Sequence, residues 1–313
     1  MSEGKPRILV IGAGVNGSIC AVGLFKAGVD VSLLVRGERC AVIRREGVVI
    51  ENPFTGVRVA TKVPVIDRLE PDDLYDYILV VVRKNQVTGL LPVLAANRSP
   101  NVVFMINNAL GPDEYVAALG RERVMLGFVF GGGKREGDLI RGFQAKGLAS
   151  PFGEIDGSLT PRLGRLIALL RGAGLKAKAE RHIVDYLTVH AAGVAPFAVL
   201  LMKHGSDCRE LARSREDLSL LAATRRETVE VLRALGCRIV PPSEGVVTRL
   251  PRPVTVFFLR SFLKLRVAEY GGAWHCQQAP DEMRELAMEL ALLVERSGLP
   301  VPALRKVLAE FIA

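Results

Sequence analysis

Three glycines at the start of the chain are the first residues able to do chemistry. Gly12, Gly14 and Gly17, with Ala13, Val15 and Asn16 between them, follow the apolar run Ile8-Leu9-Val10-Ile11 and precede a helical pattern that ends at Gly28. The order strand, tight turn, helix makes a cradle for a pyrophosphate. The first glycine permits the turn, the second lets backbone approach the anion, and the third lets the helix pack on the strand. The unpaired N–H groups and dipole of the helix start then attract the negative charge. Arg36 stands at the end of the next apolar run, residues 29–35. A site for NAD normally has Asp or Glu there to accept from the ribose hydroxyls, whereas a guanidinium pairs with a 2′-phosphate. The expected cofactor is therefore NADPH/NADP, held by Gly12, Ala13, Gly14, Val15, Asn16, Gly17 and Arg36. Arg39 is a second candidate for the phosphate, and Arg44 and Arg45 lie further off.

Two later apolar runs end in polar groups. Residues 77–82 lead into Arg83-Lys84-Asn85-Gln86, and residues 102–106 into Asn107-Asn108-Ala109-Leu110-Gly111. Carboxyl edges of parallel strands are where doubly wound sheets bind their ligands. A further run, 124–130, leads into Gly131-Gly132-Gly133, read as another place where backbone comes close to a ligand. Proton-handling groups are few. The four histidines, His182, His190, His204 and His275, have no metal-ligand spacing, so no metal is expected. Five scattered cysteines without a Cys-x-x-Cys suggest a reducing, cytoplasmic setting.

The elements that must position these groups follow from periodicity. Strands alternate with helical patterns to about residue 179, and long helical segments at 217–235, 254–270 and 281–296 take over from residue 181. The expected fold is α/β: an N-terminal Rossmann-type doubly wound parallel sheet over 1–180 and an all-α domain over 181–313, for substrate and for dimerisation. Runs 47–50 and 57–60 about a turn-rich connection read as a hairpin outside the main sheet. The 254–270 segment reads as a core helix with one charged stripe, Arg260, Lys264 and Arg266. A net charge of +9 suits an anionic cofactor and a carboxylate substrate; the basic residues are scattered, so no nucleic-acid partner is expected. The uncharged apolar run 191–202 is too short to cross a bilayer and the first residues hold no apolar leader, so no membrane partner is expected.

Taken together, Gly-x-Gly-x-x-Gly, Arg36, Arg83-x-x-Gln86, Asn107-Asn108-Ala109-Leu110-Gly111, Phe152-Gly153-Glu154-x-Asp156-Gly157 and a helical second half resemble the ketopantoate reductase (2-dehydropantoate 2-reductase) family. The resemblance implies reduction of a small 2-oxo acid by NADPH at the sheet edge between the domains. Arg83 then stands where the family has a lysine before x-x-Gln86, and Asn108 in the family's Asn-Gly-x-Gly element beside the nicotinamide. This makes Arg83, Gln86 and Asn108 cofactor-side residues.

The catalytic half departs from the family. With Pro196 as the family's proline, Leu187 occupies the place of the lysine that protonates the carbonyl, and Ala195 that of the asparagine before proline. Glu282 falls in register with the glutamate that binds the substrate hydroxyl. The companion serine-rich segment falls near Glu269-Tyr270-Gly271-Gly272, and the helix asparagine is Ala287. Hydride delivery leaves an alkoxide that needs a proton. Candidate donors are His190, on the helix that would have held the lysine, and His275, in a stretch read as a loop beside Glu282; Lys203 and His204 are weaker. The leading reading is an NADPH-dependent 2-oxo acid reductase. The alternatives are a non-catalytic NADP-binding protein and an opine-type dehydrogenase.

Overall fold

The structure is a computed structural model that describes residues 5–145 and 147–312. The chain divides into two compact units, one of residues 5–106 and 112–183, the other of residues 107–111 and 184–312.

The first unit is built on an eight-stranded sheet. Its strands are β1 (Arg7–Ile11), β2 (Asp30–Leu34), β5 (Val65–Ile66), β6 (Tyr77–Val80), β7 (Val102–Phe104), β8 (Val124–Gly127), β11 (Ser150–Glu154) and β12 (Ala177–Ala179), in the order β12-β11-β8-β7-β6-β1-β2-β5. From β5 to β8 the pairing is parallel, with β1 between β2 and β6, as the continuous apolar runs require of strands covered on both faces. Strand β11 runs antiparallel to β8 and stops at Glu154, short of Asp156-Gly157. Ile8, Leu9, Val10, Ile78, Leu79 and Phe104 are fully buried.

The hairpin expected outside this sheet is β3 (Val48–Glu51) with β4 (Arg58–Thr61), antiparallel. It joins β9 (Gly131–Glu136) and β10 (Leu139–Gln144) in a second, four-stranded sheet of order β4-β3-β10-β9. Gly131, Gly132 and Gly133, read from the sequence as a place where backbone comes close to a ligand, all pair with β10. Gly133 adopts φ +149°, and a Cβ on it would meet the Arg141 carbonyl oxygen at 2.1 Å, so the glycines serve strand packing. Gly142 opposite lets the helix Val15–Lys26 lie close; a Cβ there would stand 2.9 Å from Val15 Cγ1.

The second unit packs around the helix Ile183–Lys203, whose Ala191, Ala192, Ala195, Ala198, Leu200 and Leu201 are fully buried. The uncharged run 191–202 lies within this helix, which has 21 residues and a mean hydropathy of 1.6 over its best window, 61% of which is buried in the fold. By length and composition it passes as a membrane span. It is also the core helix of its unit, with Leu211, Leu218, Leu286, Leu290 and Leu304 around it. The helices Arg215–Ala234 and Pro280–Ser297 fall where helical spacing placed them. The segment 254–270 does not form one core helix. A helix Arg252–Leu263 is followed by a short turn at Arg266–Ala268 and a π-helical turn at Glu269–Ala273, and Phe257, Phe258 and Phe262 face solvent.

Candidate functional site

The glycine turn is shaped by what surrounds it. Gly12 has φ +110°, and a Cβ on it would lie 2.3 Å from the Val81 carbonyl oxygen. Gly17 faces Gly12 so closely that its Cβ would stand 1.9 Å from the Gly12 oxygen. Both glycines are demanded by the fold. Gly14 differs. A Cβ there meets nothing within 4 Å, and the residue is exposed at the start of the helix Val15–Lys26, which has no side-chain cap. The first-turn N–H groups of that helix are open to an anion. The amide oxygen of Asn16 is buried with no hydrogen-bond partner and awaits a donor such as a ribose hydroxyl. A cradle kept open at Gly14, a bare helix start and an orphaned buried acceptor fit a dinucleotide.

Arg36, two residues past β2, is exposed, and among the described residues its guanidinium makes no hydrogen bond or ion pair. Arg39, the second candidate for the phosphate, already has partners. Its Nη2 donates to the Ala13 carbonyl at 3.1 Å and its Nη1 lies 3.6 Å from Asp138 Oδ1. Burial, and then the nearby Arg135, lower its pKa against the pull of Asp138. Arg39 is thus a strut under the glycine turn.

After β6, the Arg83 N–H donates to Gln86 Oε1 at 3.2 Å, so the Gln86 amide closes its own turn. Lys84, beside it, is buried, with Nζ 3.3 Å from the Tyr115 hydroxyl and 3.6 Å from Glu114. After β7, Asn108 is buried and its amide is spent on the loop: Nδ2 donates to the Gly111 carbonyl at 2.6 Å and Oδ1 accepts from the Leu110 N–H at 3.2 Å.

The proton-handling candidates come together in the helical unit. Residues 274–278 are a short helix, not the loop that Gly271-Gly272 suggested; Tyr270 and Trp274, with ring centroids 4.3 Å apart, close the turn before it. His275 projects from that helix with Nε2 2.8 Å from Glu282 Oε2. The carboxylate is 3% exposed and the imidazole 41%, so a buried base orients an accessible ring. Among the described residues its Nδ1 has no hydrogen-bond partner. His190 lies close enough for the charge on His275 to act on it, and burial followed by that charge lowers its pKa to about 4, which keeps it neutral at pH 7. Lys203 and His204 are not free for catalysis: Lys203 Nζ and His204 Nε2 hold the two oxygens of buried Asp217 at 3.0 and 2.8 Å. Leu187 is buried and apolar.

Glu289 escaped the reading of the sequence. It stands two turns after Glu282 on the helix Pro280–Ser297, is buried, and accepts the Ala109 N–H at 2.9 Å. The only signal in the sequence was the seven-residue spacing, which puts both carboxylates on one helix face. Among the described residues no group of three or more His, Cys, Asp or Glu is placed to hold a metal ion.

Residues 8–150 match the family model described as Ketopantoate reductase PanE/ApbA. No curated protein matches the chain. Solved structures share its fold. D-mandelate dehydrogenase with NADH and anilino(oxo)acetate has a TM-score of 0.80 and 17% identity, over 97% of this chain and 96% of that one. The 2-dehydropantoate 2-reductase of Geobacter metallireducens GS-15 has 0.77 and 16%, over 97% and 98%. That of Porphyromonas gingivalis W83 has 0.72 and 18%, over 99% and 100%.

Proposed function

Since residues 8–150 match the model of the ketopantoate reductase family, we propose that the protein is an NADPH-dependent reductase of a small 2-oxo acid in which His275 replaces the family's lysine as proton donor. The observation that carries this reading is the 2.8 Å pair of His275 with the buried Glu282. NADPH, when bound, supplies the hydride to the ketone. The N–H groups at Gly14 would hold its pyrophosphate and Arg36 its 2′-phosphate. Arg83 holds the substrate carboxylate. Glu282 fixes the His275 ring through Nε2 and leaves Nδ1 to donate the proton to the alkoxide. His190, whose pKa is lowered to about 4, is too weak a base to compete for that proton.

The test is NADPH oxidation, followed by absorbance, with ketopantoate and then other 2-oxo acids as the only added substrate. Turnover is expected, and His275→Gln and Glu282→Gln should each lower kcat about a hundredfold or more while leaving NADPH affinity in place. Undiminished turnover in His275→Gln would overturn the assignment. A second reading rests on Leu187, whose apolar side chain cannot donate a proton. Stoichiometric NADPH binding without turnover on any oxo acid would make the protein a binding module. Turnover only on addition of an amine would indicate an opine-type reaction.

A further inference from the structure

The helix Ile183–Lys203 is the core of its unit, yet one of its faces is open. From Val189 to Leu201 every residue is buried except His190, Gly193, Val194 and Phe197. Their spacing of three, four and seven residues puts all four on one stripe, with His190 at its head. The turn that leads into the His275 helix lies beside this stripe, and there Tyr270, Gly271, Gly272 and His275 are likewise only partly buried. Two contacts join the walls. The Phe197 ring lies on the bare backbone of Gly272, where a Cβ would stand 3.1 Å from Phe197 Cε1, and the charge of His275 acts on His190. The result is a groove two helical turns long, roughly 10 Å, that starts at the two histidines and ends at Phe197.

Gly193 keeps the groove open. A glycine inside a helix is destabilising relative to alanine, because its backbone loses more freedom on folding. Packing does not demand this one: a Cβ on Gly193 would meet nothing within 4 Å, whereas Gly12 and Gly17 are forced by close neighbours. The space it leaves is apolar beyond the histidines. No Lys, Arg, Asp or Glu occurs from Tyr186 to Met202, and His190, with a pKa of about 4, is neutral at pH 7. A methyl group held at His275 would leave this space to water. A phenyl or branched alkyl group would fill it and bury its own apolar surface.

Resting on the reading of the protein as a 2-oxo acid reductase, we propose that the groove is its specificity pocket and takes 2-oxo acids with a bulky apolar side chain, which lies across Gly193 against Val194 and Phe197 while the ketone meets His275. The test on the full chain has two readouts. In NADPH oxidation, phenylpyruvate and 4-methyl-2-oxopentanoate should exceed pyruvate in kcat/KM by roughly a hundredfold, and Gly193→Leu should lower that ratio by about tenfold or more. Gly193→Ala, which the open space admits without loss of melting temperature, should lower it less. The second readout needs no turnover. Trp274, the one tryptophan of the chain, lies against Tyr270 and next to His275, so its fluorescence reports on the groove. With NADP present, 3-phenylpropanoate should change that fluorescence saturably, propanoate at the same concentration should not, and Gly193→Leu should abolish the change. Pyruvate reduced as well as phenylpyruvate, or a ratio indifferent to both Gly193 variants, would overturn the pocket and leave the reductase standing. Saturable 3-phenylpropanoate binding that Gly193→Leu abolishes, with no oxo acid reduced, would uphold the pocket and overturn the reductase. Neither binding nor turnover would overturn both.

Discussion

The Ala109 N–H and the Glu289 carboxylate, 180 residues apart in the chain, are joined by a 2.9 Å hydrogen bond inside the helical unit. The bond ties the 107–111 loop to the helix that also carries Glu282, so one rigid element positions both the loop and the His275 pair. Removing the acceptor would leave a buried N–H unsatisfied. Glu289→Ala is expected to cost about 1–3 kcal/mol of stability, and Glu289→Gln, which keeps an acceptor, clearly less. Urea unfolding, with hydrogen exchange at the Ala109 amide as the local readout, checks this. Equal losses for both variants would show that the acceptor is not what matters.

The three glycines of the turn should separate under substitution. Gly12→Ala meets the Val81 carbonyl at 2.3 Å and should destabilise the fold. Gly14→Ala enters open space and should leave the melting temperature in place while its methyl group weakens NADPH binding. Unchanged NADPH binding, measured by fluorescence titration of Gly14→Ala, would reduce the cradle to a structural turn.

Arg36→Ala should weaken NADPH binding by about 1 to 3 kcal/mol and leave NADH nearly unaffected, since only NADPH offers the 2′-phosphate that a free guanidinium pairs with. Calorimetric titration of both cofactors decides the matter. A common loss would assign Arg36 to some other contact.

His190 links stability to pH. Its folded-state pKa of about 4 lies below the ordinary 6.5, chiefly through burial and secondarily through His275. The unfolded chain therefore takes up a proton between pH 6.5 and 4 that the folded chain refuses. The contribution is complete above 6.5 and is lost as pH falls toward 4, with a slope of at most about 1.4 kcal/mol per pH unit. His190→Phe should flatten this limb in unfolding measured at pH 4.5, 5.5 and 7; an unaltered limb would place the titrating group elsewhere.

Much of the first unit was legible because continuous apolar runs and glycine punctuation have few physical solutions. Strands β1, β2, β6 and β7 and the Gly12–Gly17 turn lie where those runs ended. What escaped depends on neighbours remote in sequence. Gly131-Gly132-Gly133 has the composition of a loop, and only the close approach of Arg141 and Gly142 makes it a strand. Gly271-Gly272 likewise hid a helical turn closed by Tyr270 against Trp274. The apolar stripe of Arg252–Leu263 is amphipathic whether it is covered or bare, and periodicity does not distinguish the two. Arg39 and Arg36 read alike until Ala13 and Asp138 claimed one of them.

The assignment of residues 107–111 to the helical unit has a consequence for anyone recombining this chain with a relative. A chimera joined at the single linear boundary near residue 183 would inherit Glu289 from one parent and the loop it grips from the other. A matched exchange must transplant five residues from the middle of the first unit as well, so the smallest exchangeable module of the helical unit is discontinuous.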